Sequence, residues 1–150
     1  MAKTSTTTVD IRNFTRRFAP GFPYKDIAKA IAPGWEISLV FAGKTRAQSL
    51  NKVLRKKSYV PNVLSYVSGN KSGEIIICLE VAKQQAPSYD LSYKNFTAFL
   101  FIHGLLHLLG KAHGTTMERH ERTFLKRFTG ADISYGDLPV DHGTTHRNRN

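Results

Sequence analysis

The order of apolar and polar residues along this chain predicts an α+β fold, in which helices pack on a small mixed β-sheet. Apolar residues recur at helical spacing after Tyr24 and alternate with other residues in Trp35–Phe41, which indicates a helix followed by a strand. The segment 98–109 is apolar except for glycine and two histidines, which is typical of a buried helix. At 150 residues the chain is long enough for one domain with a substantial core.

The first half of the chain predicts a helix, a strand and a second helix. The inward face of the first helix is formed by Tyr24, Ile27, Ala28 and Ile31, and Pro33-Gly34 ends it. Trp35–Phe41 is the strand, and a second helix covers about Thr45–Lys56 with a basic outer face. The polar Thr4–Thr8 segment is expected to be frayed.

The second half predicts two strands and two helices. Val63–Val67 and Glu74–Leu79 are the strands, joined by the turn-rich segment Ser68–Gly73. The buried helix follows at about Ser92–Leu109, and a last helix spans about Thr116–Phe128. Residues 1–140 are expected to form a single domain, and the polar residues 141–150 a disordered tail.

Three histidines mark a candidate metal site. His103 and His107 are four residues apart, so a helix places them on one face, one turn apart. Gly110 can end the helix in a left-handed turn, after which the chain can return His113 to the same point. Three imidazoles with an open fourth position form the ligand set of a catalytic zinc ion. We therefore expect one Zn²⁺ per chain, although nickel and copper also bind imidazole well.

The alternative is that these histidines are ordinary core residues. A buried imidazole without a partner costs about 1–3 kcal/mol, and a backbone carbonyl could satisfy one of them. Two at ligand spacing, with a third beyond the helix end, favour metal binding. Gly104 and Leu105 follow His103, so the glutamate base of an HExxH peptidase is absent from its usual place. A base could come from elsewhere in the chain, and Glu74 and Glu80 are the candidates.

The charge distribution favours a polyanionic partner. The net charge is +11, with twelve Lys/Arg against three Asp/Glu in residues 1–57 and ten against eight in residues 58–150. A generic surface mixes the two signs, so this concentration favours nucleic acid over a merely solubilising surface. The one cysteine, Cys78, excludes an internal disulfide and is expected to be buried in a strand. Without a secretory segment near Met1 or a membrane span, we expect a cytoplasmic protein.

The histidine pattern resembles the H-G-x-L-H-L-x-G-Y-D-H motif of the YbeY family, the metal-dependent endoribonucleases of ribosomal RNA maturation. Further blocks in the family's order lie within roughly residues 25–130 and are Leu50-Asn51-x-x-Leu54-Arg55, Asn62–Tyr66, Gly73–Ile77 and the segment around Met117, Glu118 and Glu121. The resemblance implies a zincin-like fold with a central metal-binding helix. It also implies cleavage of single-stranded RNA in small-subunit rRNA maturation and ribosome quality control, with rRNA and ribosomal particles as partners.

The resemblance also assigns roles to individual residues. His103, His107 and His113 would hold the metal and belong to the catalytic centre. Arg55 would be the second catalytic cation, since a guanidinium binds phosphate through two parallel hydrogen bonds. Its alternative role is one more charge in a basic run.

The motif departs from the family at Lys111-Ala112, which stand where Tyr-Asp is usual. If that aspartate orients a ligand, its absence alters metal affinity or activity, and Lys111 either adds a cation near the metal or points into solvent. A non-catalytic basic RNA- or ribosome-assembly factor with a structural metal therefore stays open. A metallopeptidase is a third alternative.

Overall fold

The computed structural model describes residues 6–112 and 114–135. The strands and helices follow in this order: β1 Thr8–Asn13, α1 Tyr24–Ile31, β2 Glu36–Ala42, α2 Lys44–Arg55, β3 Val63–Gly69, β4 Ser72–Cys78, α3 Leu79–Gln85, a 3₁₀ turn at Ala86–Tyr89, α4 Tyr93–Leu108 and α5 Thr115–Thr129. His113, expected to be a metal ligand, and the expected tail at 141–150 lie outside the described residues.

The sheet has the strand order β1-β2-β4-β3. Strands β1, β2 and β4 are parallel, and β3 pairs antiparallel with β4 across the hairpin at 69–72. The expected α+β fold with a small mixed sheet is confirmed.

Helices cover both faces of this sheet. On one face, Leu39, Ile75 and Ile77 join the main core with α1 and α4. On the other face, Val40, Leu64 and Ile76 pack with Leu50 of α2. The two faces follow from the alternation of side chains along each strand. The histidine helix α4 and the basic helix α2 therefore lie on opposite sides of the sheet.

Helix α4 is the central helix of the main core. Every residue from Phe96 to Leu108 is buried, as expected from the apolar sequence. The Ser92 side chain caps it by accepting a hydrogen bond from the Asn95 N–H at 3.0 Å. Gly104 lies so close to the sheet that a Cβ there would be 3.0 Å from Ile75 Cγ2. No described helix has the length and apolarity needed to cross a bilayer.

Two elements are absent from the sequence-based prediction. Strand β1 is a mostly exposed edge strand and carries little apolar alternation. The prediction that the chain is frayed through Thr8 is wrong at Thr7 and Thr8. Thr7 Oγ1 accepts a hydrogen bond from the Gly34 N–H at 2.7 Å, and the Thr8 N–H donates to the Trp35 carbonyl. Helix α3 begins at Leu79, which was expected to be the last residue of a strand. Cys78 is buried in strand β4, as expected.

Candidate functional site

Two of the three predicted ligands form a buried pair on α4. His103 and His107 lie on consecutive turns, 1% and 6% exposed, and their ring centroids are 4.5 Å apart with an angle of 65° between the planes. The apolar helix buries them, and the four-residue spacing brings their rings to one side. Two imidazoles in this arrangement can serve as neighbouring ligands of one metal ion.

A carboxylate from α5 holds one ring of the pair. Glu121 is only 2% exposed, and its Oε2 is hydrogen-bonded to Nδ1 of His103. A carboxylate partner favours the tautomer with the hydrogen on Nδ1, and a metal bound by His103 would then be held through Nε2. Histidine ligands in metalloproteins are oriented by such contacts, so the environment of His103 fits a metal ligand.

The other oxygen of this carboxylate accepts a hydrogen bond from a tyrosine. The Tyr135 hydroxyl donates to Glu121 Oε1 at 2.6 Å. Burial, followed by the negative charge of Glu121, raises the pKa of Tyr135, so the phenol remains protonated and able to donate at neutral pH. Glu121 is thereby held between His103 and Tyr135.

The turn after α4 has the expected form. Gly110 has a φ of 87°, its N–H donates to the His107 carbonyl at 2.9 Å, and the Lys111 N–H donates to the Leu106 carbonyl at 3.1 Å. These bonds satisfy carbonyls that the helix end leaves open. Lys111 is half-buried and Ala112 exposed. The role of His113 as third ligand stays a prediction.

Arg55 ends α2, on the other side of the sheet from α4. Its Nη1 donates to the Tyr59 hydroxyl at 2.6 Å, and its guanidinium carbon lies 5.9 Å from the centre of the Tyr59 ring. The structure thus defines a partner that orients Arg55. Its role toward a phosphate stays a prediction.

The carboxylate beside the histidines is one that the sequence reasoning did not assign. Glu74 contacts Tyr66 and Ser38 on the α2 side of the sheet, and Glu80 lies 3.6 Å from Lys44. Glu121 could have been found from the spacing of α5, where it shares a buried stripe with Met117 and Leu125 at four-residue intervals. A charged residue in such a stripe needs a buried partner.

A basic and aromatic surface lies at the end of β1. Phe14 and Phe18 are 52% and 80% exposed, and the Arg46 guanidinium carbon lies 4.5 Å from the centre of the Phe14 ring. The turn between them is ordered by Asn13, whose Oδ1 accepts hydrogen bonds from the Thr15 N–H and hydroxyl at 2.9 and 2.7 Å. We call this the Phe14–Phe18 surface, and its cations are Arg16, Arg17 and Arg46.

The structure is that of a small α+β protein with a buried His-Glu cluster, and comparison with known proteins assigns the family. The family model described as "Endoribonuclease YbeY" matches residues 2–129. The chain therefore belongs to the YbeY family.

Individual relatives agree with this assignment. The chain is 38% identical to Endoribonuclease YbeY of Bdellovibrio bacteriovorus over 61% of this chain and 63% of that protein. It is 33% identical to Endoribonuclease YbeY of Mesoplasma florum over 69% of this chain and 66% of that protein. It is 32% identical to that of Spiroplasma citri over 74% of this chain and 78% of that protein. The matches to the Bdellovibrio and Mesoplasma proteins thus span just under two thirds of those proteins' length.

A solved structure shares the fold. A Thermotoga maritima protein determined in solution superposes with a TM-score of 0.57 at 17% identity, covering 81% of this chain and 89% of that one. At this identity the likeness concerns the fold alone.

Proposed function

We propose that this protein is a metal-dependent endoribonuclease, which hydrolyses phosphodiester bonds of single-stranded RNA in small-subunit rRNA maturation and ribosome quality control in the cytoplasm. The observation that carries the proposal is the buried His103–His107 pair with Glu121 on His103 Nδ1, in a chain of the YbeY family. A carboxylate on the other ring nitrogen is the usual partner of a histidine that binds a metal, which favours a metal centre over ordinary core histidines.

The donor set fits zinc. His103 and His107 would hold the ion, with His113 as the third ligand. The chemistry that zinc supplies when bound is Lewis acidity, which lowers the pKa of a bound water from 15.7 to about 7. The remaining tasks belong to the chain, because substrate phosphates must be bound and oriented at the histidine centre.

Charged side chains of the chain would carry out that binding. Arg55, at the end of α2 on the other side of the sheet, would hold a phosphate farther along the RNA strand through its guanidinium, in an orientation set by Tyr59. The Phe14–Phe18 surface would bind unpaired bases farther along the RNA, since exposed aromatic rings among arginines are typical of single-strand binding. Both features fit RNA, and rRNA within ribosomal particles is the substrate that the family implies.

A non-catalytic RNA-binding assembly factor is the second candidate. It is favoured by Lys111-Ala112, which replace the family's usual Tyr-Asp beside the third histidine. In this case the metal would stabilise the fold, and the basic surface would provide the function.

The deciding experiment compares metal content and RNA cleavage in wild type, His107→Ala and His120→Ala. His120 lies on α5 outside the pair and is the matched control. We expect one metal per chain by mass spectrometry and cleavage of single-stranded RNA in wild type and His120→Ala, and loss of both in His107→Ala. Cleavage by metal-free His107→Ala protein would refute the proposal. Metal and RNA binding without cleavage in wild type would favour the assembly factor.

A further inference from the structure

Three side chains form a continuous hydrogen-bonded series that ends at the histidine pair. His103 Nδ1 bonds to one oxygen of Glu121, and the Tyr135 hydroxyl donates to the other at 2.6 Å. A buried carboxylate is stable only when its oxygens are hydrogen-bonded, and the positions of its partners fix the plane of the group. With Oε1 held by Tyr135, Oε2 is presented to His103.

Tyr135 reaches this position by an ordered return of the chain after α5. Gly130, with a φ of 76°, ends the helix in a left-handed turn. Ile133 is then buried in the main core, and the Ser134 N–H donates to the Tyr89 carbonyl at 3.2 Å. This segment, residues 130–135, lies beyond residues 2–129 that the family model matches. The chain therefore supplies a partner for Glu121 from outside the matched region.

The ring and the hydroxyl of Tyr135 have separable roles. The ring contacts Phe99 at a centroid distance of 6.2 Å, and the Arg122 guanidinium carbon lies 5.0 Å from its centre. A phenylalanine would keep both contacts. Only the hydroxyl contacts Glu121, so its removal tests the orientation of the carboxylate apart from the packing of the segment.

We propose that Tyr135 is a positioning residue that sets the orientation of His103 through Glu121. The hydroxyl holds the Glu121 carboxylate, the carboxylate keeps the hydrogen of His103 on Nδ1, and Nε2 is thereby directed for metal binding. The metal-binding consequence rests on the proposed function, whereas the orientation of His103 does not.

The test compares Tyr135→Phe with Tyr93→Phe. The Tyr93 hydroxyl donates to the Phe18 carbonyl at 2.9 Å, so the control loses one tyrosine hydrogen bond away from Glu121. In metal-free protein, ¹⁵N chemical shifts of the His103 ring report its tautomer, and competition with a chromophoric chelator measures Zn²⁺ affinity. Glu121→Gln is a second variant that acts on the same bond directly.

We expect Tyr135→Phe to lower the fraction of the Nδ1–H tautomer and to weaken Zn²⁺ binding about tenfold, the lower end for loss of a partner that orients a ligand. Glu121→Gln should act more strongly in the same direction, and Tyr93→Phe should match wild type. Wild-type values of tautomer and affinity in Tyr135→Phe would overturn the inference. If Tyr135→Phe changes the His103 tautomer but wild-type protein binds no Zn²⁺, the positioning role of Tyr135 is supported and the proposed function is contradicted.

Discussion

A methyl group on Gly73 would lie 2.7 Å from Leu108 Cδ1, so the Leu108 side chain of α4 rests directly on the backbone of β4 at this point. Leu108 follows His107, and Gly104 makes the second close approach, over Ile75. Helix α4 therefore runs antiparallel to β4, and two glycines, one on each element, set how closely the histidine helix approaches the sheet.

Gly73→Ala is expected to destabilise the protein, although alanine normally stabilises a strand relative to glycine. The buried Leu108 side chain must move, and overpacking of this kind costs about 1–3 kcal/mol. Because His107 adjoins Leu108, Zn²⁺ affinity should fall as well. Urea unfolding and chelator competition measure the two effects.

Gly69→Ala is the matched control for this change. It lies on the same hairpin, but a Cβ there meets only Ser72 Cβ at an ordinary 3.6 Å. Its stability should equal or exceed that of wild type. If Gly73→Ala and Gly69→Ala unfold at the same urea concentration, the Gly73–Leu108 contact does not position α4.

Arg55→Ala is expected to retain the metal and to lose RNA cleavage about 10- to 100-fold, since a hydrogen bond from a charged group to a phosphate contributes about 1.5–3 kcal/mol. Arg55→Lys keeps the charge but not the two-pronged geometry and should recover only part of the rate. Single-turnover cleavage and metal analysis of the same preparations provide the measurement. Unchanged cleavage in Arg55→Ala would reduce Arg55 to one charge of a basic run.

Tyr59→Phe isolates the contact that orients this arginine. It removes the hydroxyl that accepts from Arg55 Nη1 but leaves the ring beneath the guanidinium. We expect a smaller loss of cleavage than in Arg55→Ala, with metal content unchanged. A loss as large as that of Arg55→Ala would mean that the arginine acts only in the orientation fixed by Tyr59.

The sequence predicted the elements whose burial repeats regularly and missed those formed by other interactions. Helix α4 and strand β2 follow from apolar patterns, because each packs against the core along most of its length. Strand β1 is held by backbone pairing to β2, and Val9 is its one partly buried side chain against the core, so its composition gave little signal.

The site divides in the same way. The spacing of His103 and His107 is local and follows from the helical repeat. Glu121 comes from α5, and the packing of α5 on α4 brings it to His103, whereas Tyr135 reaches Glu121 from the segment beyond α5. The stripe Met117-Glu121-Leu125 did signal a buried charge, but not which residue it meets.

The Phe14–Phe18 surface is expected to contribute to RNA binding through stacking. The double variant Phe14→Ala/Phe18→Ala should bind labelled oligouridylate about fivefold or more weakly, since one stacked base contributes about 1–3 kcal/mol. Both rings are at least half exposed, so the fold should be unaffected. Fluorescence anisotropy measures the affinity, and the tyrosine double variant, which keeps both ring faces, should bind like wild type.

The arginines of this surface should set the salt dependence. Arg16→Ala/Arg17→Ala should reduce the slope of log affinity against log salt by about 0.7 for each RNA phosphate that the variant no longer neutralises. Equal affinity in wild type and the alanine double variant at Phe14 and Phe18 would rule out stacking there. Binding to anionic vesicles but not to RNA would identify the surface as a membrane contact instead.

Cys78 provides a test of whether a metal holds the fold together. It is the single cysteine, it is buried at the end of β4, and burial raises the pKa of its thiol above the usual 9.0. Its stabilising contribution is therefore present below the pKa of the unfolded thiol and lost as pH rises through the native value. Because Cys78 is only 1% exposed, labelling with a thiol reagent at pH 7.5 requires opening of the structure.

The two candidate functions differ in what chelation does to this labelling. The core on both faces of the sheet is formed by apolar side chains, so it does not depend on a metal at the histidines. For the proposed enzyme, EDTA should therefore change the rate of Cys78 labelling by no more than a few-fold. A structural metal, whose binding energy is folding energy, predicts labelling near the rate of the unfolded chain once EDTA is added. Fast labelling after chelation would favour the assembly factor, whereas slow labelling with loss of RNA cleavage places the metal in the chemistry.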